Sequence, residues 1–237
     1  MGSRRFAVVL VRPMLPANLG AASRAAKNFG VEDLRLVEPA SAADEEAYRL
    51  ASGADDLLDR LRRFETVAAA VADFPAVVAT SSLRGRGQRR SLDLVSLPQF
   101  LRGVGRSRVA FVFGPEKSGL TEEEMSHASA ALRLPTIPDF PTMNLSHAVA
   151  VVLAVARFAE PAVSSAAEEG WAPAGDVEGA IEHWDRALEA IGFYDTGHRQ
   201  RSLRDWRRIV AGRPLNRREV AILRGVANRI LVSLRRK

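Results

Sequence analysis

Cysteine is absent from the 237 residues, which excludes disulfides, thiolate nucleophiles and cysteine-based zinc sites. The four histidines are scattered and show no metal-ligand spacing, so no metal is expected. No apolar run approaches the roughly 18 residues that span a bilayer. The opening MGSRRFAVVLVRP enters a strand-like run without a signal-peptide cleavage pattern. These absences describe a soluble, cytoplasmic protein with no membrane partner. Lysine is almost missing too, standing only at 27, 117 and 237. The positive charge is therefore arginine, which forks onto phosphate and stacks on bases, although genome composition also raises arginine content.

Two nucleotide-binding signatures are missing as well. No G-x-G-x-x-G follows the first strand, which argues against an ordinary dinucleotide fold. The loop GPEKSG lacks the Gly-Lys-Ser/Thr ending of a phosphate loop; Lys117 lies inside it and no basic residue follows Gly119. Ser146 and His147 are adjacent on a helix and point different ways, and no nucleophile elbow exists, so a Ser-His-Asp hydrolase is unsupported.

What is present is a core. Hydrophobic residues make up 47% of the chain, enough for one large domain, or one plus a small one. Phe6–Val11 is a continuous apolar run, as a buried parallel strand would be. PANLGAASRAAKNFG follows as a helix, with Asn18 as a plausible N-cap and Gly30 at C′. Leu34–Val37 completes a strand–helix–strand unit, hence a parallel sheet. Short helices are expected over Asp44–Ser52 and Thr66–Phe74, and strands over Ala76–Ala79, Val109–Phe113 and Leu132–Leu134. Gly53–Arg63 is ambiguous. Thr121 and Glu124 form a capping box. From Asn144, LSHAVAVVLAVARFA is apolar on almost every face and so is expected to be buried, on the sheet and against a second subunit. Glu160–Asp176 has no periodicity and reads as a linker. Helices are expected at Val177–Ile191, Ser202–Ala211 and from Asn216 onward. The domains are thus 1–160, a linker at 161–176 and a small helical module at 177–237.

Charge divides the same way. The net charge is +6, yet residues 199–237 hold 13 basic and 2 acidic groups, and residues 1–198 hold 21 basic and 26 acidic ones. Helix faces that paired internally would not be so lopsided, so a polyanionic partner is expected. Leu83–Arg108 adds seven arginines against Asp93 alone. Because that loop follows a strand end, it reads as an RNA-contacting loop rather than a merely solvated one.

The densest stretch of special residues is Phe111–Leu145. Two apolar runs there spill into loops of Gly, Pro, Ser, Thr and Asn, as strand ends do when they present backbone groups to a ligand. Three segments carry a family resemblance: NLGAASRA after the first strand, FGPEKSGL after a middle strand, and LPTIPDFPTMNLSHAV before the apolar helix. They resemble the three motifs of the SPOUT-class RNA 2′-O-ribose methyltransferases. The tail, LRDWRRIVAGRPLNRREVAILRGV, resembles the C-terminal extension of the TrmJ-type branch, which acts on tRNA. The resemblance covers roughly Arg5–Glu160 and the tail.

The resemblance implies an α/β fold: a parallel sheet flanked by helices, with a C-terminal trefoil knot, plus the small basic all-helical module. It implies S-adenosyl-L-methionine as cofactor, a homodimer, no metal, and methylation of the ribose 2′-hydroxyl at nucleotide thirty-two of the tRNA anticodon loop, on cytidine, with uridine left open. By motif position the cofactor pocket would comprise Thr80, Ser81, Ser82, Gly114, Leu134, Pro141, Thr142, Met143 and Leu145. Gly114 is expected to let the backbone approach the ligand. The catalytic set would be Asn18, Arg24, Glu116, Thr142 and Asn144; bacterial relatives commonly carry Ser where Thr142 stands. Candidate RNA contacts are Lys27, Arg84, Arg86, Arg89, Arg90, Arg207, Arg208, Arg217 and Arg218.

Taken singly, these residues have plainer readings. Asn18 serves as a helix cap, Arg24 and Lys27 as surface charges, Glu116 as a structural partner, Thr142 and Asn144 as the start of a helix. Trp184 and Trp206 suit the core of the small module. Rival functions are the same fold acting on rRNA or another tRNA position, a catalytically inactive RNA-binding module, and a small-molecule α/β enzyme.

Overall fold

The first strand, β1 (Phe6–Val11), is buried at all six positions. A β-branched, wholly apolar run suits only the middle of a sheet covered on both faces. The computed structural model describes residues 6–38, 44–81, 90–105, 107–159, 170–194, 199–210 and 214–235. In it β1 is followed by α1 (Pro16–Asn28), β2 (Asp33–Val37), α2 (Glu45–Ala51), α3 (Asp55–Asp59), β3 (Arg62–Phe64), α4 (Val67–Val71) and β4 (Ala76–Thr80). Then come β5 (Ser91–Leu92), α5 (Leu97–Gly103), β6 (Val109–Phe113), α6 (Glu122–Ser126), β7 (Ala130–Leu132) and α7 (Leu145–Phe158). Three helices complete the chain: α8 (Ala174–Ala190), α9 (Arg199–Val210) and α10 (Arg217–Arg235).

The strands form one sheet in the order β3-β2-β1-β6-β4-β7-β5. Every pairing in it is parallel. Side chains alternate between its faces, so one strand feeds two cores. Phe6, Val8 and Leu10 of β1 join Phe111 and Phe113 of β6 under α1, α2, α5 and α7. Ala7, Val9 and Val11 pack with Val77, Val112 and Phe74 under α4. On the first face α1 lies very close to α2: a Cβ on Gly20 would stand 2.0 Å from the Ala47 carbonyl oxygen, so that contact requires glycine.

The N-terminal edge of the sheet is held by charge. Arg35 is buried on β2, hydrogen-bonded to Asp33, Asp73 and the Ala70 carbonyl, with its guanidinium 4.3 Å from the Phe74 ring. Burial raises the Asp73 carboxyl, but the hydrogen bond and charge of Arg35 outweigh it and hold the group at about 2. This cluster lies at the far end of the strands from the loops described below.

The helical module closes on the opposite face from α1. Ala174 and Gly175 donate backbone hydrogen bonds to the Phe74 and Ala72 carbonyls. Its own small core holds Ala172, Ala180 and Val220, and Trp184 stacks on Trp206 at 5.8 Å. Asn216 and Glu219 cap α10 reciprocally, as the sequence suggests.

Several expectations are corrected. Asn18 is not the cap of α1: Leu15 holds that position and makes no side-chain cap bond, while Pro16 opens the helix, so Asn18 lies in the first turn and its side chain is free for other work. The strand expected at Leu132–Leu134 sits at Ala130–Leu132. Residues 53–63 supply α3 and the start of an edge strand. The module's first helix begins at Ala174, inside the expected linker.

Candidate active site

β1, β6, β4 and β7 are consecutive neighbours in the sheet, so the loops leaving their C-terminal ends share one edge. The first is the turn 12–15, held where Arg12 donates its backbone N–H to the Val37 carbonyl. The second is 114–121. A Cβ on Gly114 would meet the Leu120 nitrogen at 2.6 Å and the Gly119 carbonyl carbon at 2.7 Å. Gly114 is therefore required by its own loop folding back on it, and it also lines the cavity described below. Gly119, at φ +65°, completes the return and donates to the Pro115 carbonyl at 2.9 Å. The third loop, 133–144, ends where Asn144 caps α7, its side chain accepting from the Ser146 N–H.

One polar chain ties the three loops together. The Asn18 amide donates to Glu116. The other Glu116 oxygen accepts the Met14 N–H at 3.3 Å. Asn144 donates its amide to the Asn18 side-chain oxygen at 3.2 Å, and its own oxygen accepts from the Ser146 N–H and hydroxyl at 2.9 and 2.8 Å. The direction of each bond is fixed by the others: Glu116 only accepts, so Asn18 must present its NH₂ there and its oxygen to Asn144. Each amide keeps a second N–H outside the chain.

Beside this chain lies a cavity of about 270 Å³, near the small end of the range for small-molecule sites. Thr80, Ser81, Gly114, Leu134, Pro141, Thr142, Met143 and Leu145 line it, together with Glu116 and Lys117. Ser82 lies outside the described residues. Leu134, Met143 and Leu145 give apolar walls; Ser118, Lys117 and Thr136 give a polar margin. Such a cavity suits a small ligand with an apolar body and polar groups at its margin. Thr80 donates its hydroxyl to the Val112 carbonyl at 3.2 Å, so it braces the floor. Thr136 donates to the Pro141 carbonyl at 3.0 Å and closes the third loop.

Residues 5–154 match the SpoU rRNA methylase family, and residues 175–237 match the C-terminal domain of the tRNA methyltransferase TrmJ. The chain belongs to the SpoU methylase family. It is 32% identical over 238 residues to the tRNA (cytidine/uridine/adenosine-2′-O-)-methyltransferase TrmJ of Pseudomonas aeruginosa (strain UCBPP-PA14), spanning 94% of this chain and 92% of that protein. With the tRNA (cytidine-2′-O-)-methyltransferase TrmJ of Methanocaldococcus jannaschii it shares 37% identity over 151 residues, which is 62% of this chain but only 65% of that relative. The crystal structure of TrmJ from Z. mobilis ZM4 superposes with a TM-score of 0.84 at 33% identity, covering 94% of this chain and 98% of that one.

Against the motifs of the SpoU family, the catalytic candidates divide. Asn18, Glu116 and Asn144 are joined, and Thr142 lines the cavity. Arg24 stands apart: it is exposed, makes no ion pair among the described residues, and lies six residues beyond Asn18, about 9 Å along α1. The RNA-contact candidates divide too. Lys27 is paired with Asp56 of α3. Arg207 is turned inward, its side chain 14% exposed, bonded to Glu178 at 2.6 Å and to Glu123 at 2.5 Å. Arg208 bonds Asp205 within its own helix. Arg217 and Arg218 are exposed at the start of α10. Arg90 lies with its guanidinium 5.2 Å from the Phe100 ring. Arg84, Arg86 and Arg89 lie outside the described residues.

Sequence reasoning missed Arg12. Its side chain bridges Glu38 and Glu124. The only signal was an arginine directly after an apolar strand and before proline. Glu124 was legible as a capping residue, and the structure gives it that role. Burial pushes its carboxyl up, but hydrogen bonds from Arg12 and the Thr121 N–H prevail and lower it.

Proposed function

We propose that this protein uses S-adenosyl-L-methionine to methylate a ribose 2′-hydroxyl of tRNA, in the anticodon loop at nucleotide thirty-two. The observation that carries the reading is the Glu116–Asn18–Asn144 chain: it joins all three motif loops at the mouth of a cavity whose apolar walls and polar margin fit the cofactor. Leu134, Met143 and Leu145 would hold the adenine, with Thr80 and Ser81 at the floor. Bound there, the cofactor supplies an electrophilic methyl group on a sulfonium.

The chain's own work is then positioning, because in-line attack of a neutral hydroxyl on a cation needs alignment above all. Glu116 accepts two hydrogen bonds and holds Asn18; it is a brace, not a base. The second N–H groups of Asn18 and Asn144 are the donors that orient the ribose oxygens. A guanidinium is a hydrogen-bond donor and not an acceptor, so Arg24 is not cast as the base. It holds the target phosphate or stabilises charge developing on the 2′-oxygen, and the proton leaves to phosphate or water.

The sheet order supports the trefoil knot of the family: β6 enters between β1 and β4, and β7 between β4 and β5, strands already laid down. The working unit we infer is a cytoplasmic homodimer. Helix α7 is apolar over most of its length, yet Phe158 is 92% exposed at its end, and Ile137 and Phe140 are 65% and 71% exposed on the third loop. A second copy covering that face would bury them.

The test is transfer of labelled methyl to tRNA from cells lacking this protein, with the modified nucleotide mapped. Label at the 2′-oxygen of nucleotide thirty-two is expected. Label in rRNA alone, or none, overturns the reading. Arg24→Ala is expected to cut transfer at least about a hundredfold, as the loss of a transition-state contact does, while calorimetry gives cofactor affinity close to wild type; a large loss of cofactor affinity would reject its role at the RNA.

A further inference from the structure

Arg12 ends β1 with φ +44°, and Glu38 follows β2 with φ +41°. Non-glycine residues seldom sit there, and such conformations persist where the surroundings enforce them. Both lie at the edge of the sheet that carries the site, and their side chains meet: the Arg12 guanidinium donates to Glu38 at 3.0 Å and also to Glu124. Glu124 in turn receives the Thr121 N–H at 2.7 Å as the third residue of α6. The Arg12 backbone is fixed by its hydrogen bond to Val37, and that of Glu38 by one to Phe64.

The loop 114–121 is consequently fastened to the turn 12–15 twice. Near its start Glu116 takes the Met14 N–H and the Asn18 amide. At its far end Glu124 takes Arg12. The first fastening involves residues of the polar chain. The second touches neither the cavity nor the chain, since Arg12, Glu38 and Glu124 are all absent from the cavity wall. Glu124 is mostly covered, at 13% exposure, while Glu38 is 56% exposed. The Arg12–Glu124 arm is therefore the stronger one, being less screened by water.

We propose that Arg12 is a positioning residue for the methyl-transfer site: its left-handed backbone aims the guanidinium at Glu124, and this clamp holds the α6 end of the loop 114–121 closed against the cavity. The inference rests on the proposed function for its activity readout, but not for its structural one. Without the clamp, the loop 114–121 is fastened to the turn 12–15 only through Glu116, while α6 keeps its Glu123–Arg207 bond on the side of the helical module. Gly119 and Leu120 then move away from Gly114, and the cavity wall formed by Gly114 and Gly119 loosens. The reacting groups are untouched.

The experiment compares wild type with Arg12→Met, Arg12→Lys, Glu124→Gln, Glu38→Gln and the double variant Arg12→Met/Glu124→Gln. Cofactor affinity is read by calorimetry well below each Tm, and amide hydrogen exchange is read across 114–124. Arg12→Met and Glu124→Gln are each expected to weaken cofactor binding about tenfold and to speed exchange at 116–121. The double variant should be no worse than either single one, because both break one contact. Arg12→Lys should recover part of the loss, and Glu38→Gln should change little. A kcat unchanged at saturating cofactor, with KM raised, separates positioning from chemistry.

Additive losses, or wild-type affinity and exchange in Arg12→Met, would overturn the proposal; a lower Tm alone, with both unchanged, would make Arg12 merely structural and overturn it too. If wild type binds no cofactor, the functional reading fails, whereas the exchange measurement still decides the clamp.

Discussion

Gly114 carries a structural demand that the sequence does not display. A glycine after an apolar strand reads as room for a ligand, and sequence alone cannot show that the chain itself returns to fill the room. In the structure the Leu120 nitrogen occupies the space a Cβ would take, at 2.6 Å. Backbone cannot step aside as the end of a side chain can. Gly114→Ala is therefore expected to open the loop 114–121, costing about 1–3 kcal/mol as overpacking does, and to weaken cofactor binding markedly. Chemical denaturation and calorimetry check both, and wild-type affinity in this variant would refute the close-return argument. The candidate catalytic residues show what sequence does and does not carry. Asn18, Glu116 and Asn144 were legible through motif resemblance, while the hydrogen bonds joining them span 98 and 126 residues, and no local pattern encodes those.

Among elements, legibility followed the strength of the local signal. β1, β6 and α7 are long apolar runs, and α6 and α10 begin with capping boxes, so each could be read directly. β5 is two residues long, too short for any periodicity. β7 begins with two alanines, which favour helix locally but pair with β4 because the site is already covered on both faces. The joint between the sheet domain and the module was hidden for another reason: its partners come from three helices. Glu178 of α8 meets Arg207 of α9 and His127 after α6, while Glu123 of α6 reaches Arg207 as well. Burial raises the Glu178 carboxyl, but hydrogen bonds from His127 and Arg207 prevail and bring it to about 2, from 4.5. A lowered carboxylate stabilises the fold above its unfolded value and loses that contribution as pH falls through the folded one. The joint should thus be intact above pH 4.5 and weaken toward pH 2. The contribution at neutral pH is of order 3 kcal/mol at most. Glu178→Gln is expected to lower unfolding free energy at pH 7 by about 2 kcal/mol, with the gap from wild type closing as pH is lowered. A pH-independent gap in urea titrations would reject the assignment.

At the scale of the molecule, the basic tail is less available than its sequence count suggests. Of its thirteen cations, Arg199 is committed to Asp185 and Glu189, Arg207 to Glu178 and Glu123, and Arg208 to Asp205. All but one of these carboxylates lie before residue 199, in the part of the chain counted as acidic. The charge split between the two parts was thus partly a record of their docking, which a count along the chain cannot separate from a charge kept for a partner. Among the described residues, Arg201, Arg217, Arg218 and Arg229 make no ion pair and are exposed, which makes them candidates to meet phosphate. The two kinds of arginine should behave differently toward salt. Each phosphate contact releases counterions, steepening the fall of log affinity with log salt by about 0.7–0.9. Arg217→Ala/Arg218→Ala is expected to leave stability unchanged and to flatten that slope for tRNA by about 1.5. Arg207→Ala should leave the slope as it is and instead cost about 2–3 kcal/mol of stability, because half-buried Glu178 would keep only His127. Filter binding across a salt series, paired with urea denaturation of each variant, reads both effects. Equal slopes in wild type and the double variant would show that the tail's free arginines do not carry the RNA.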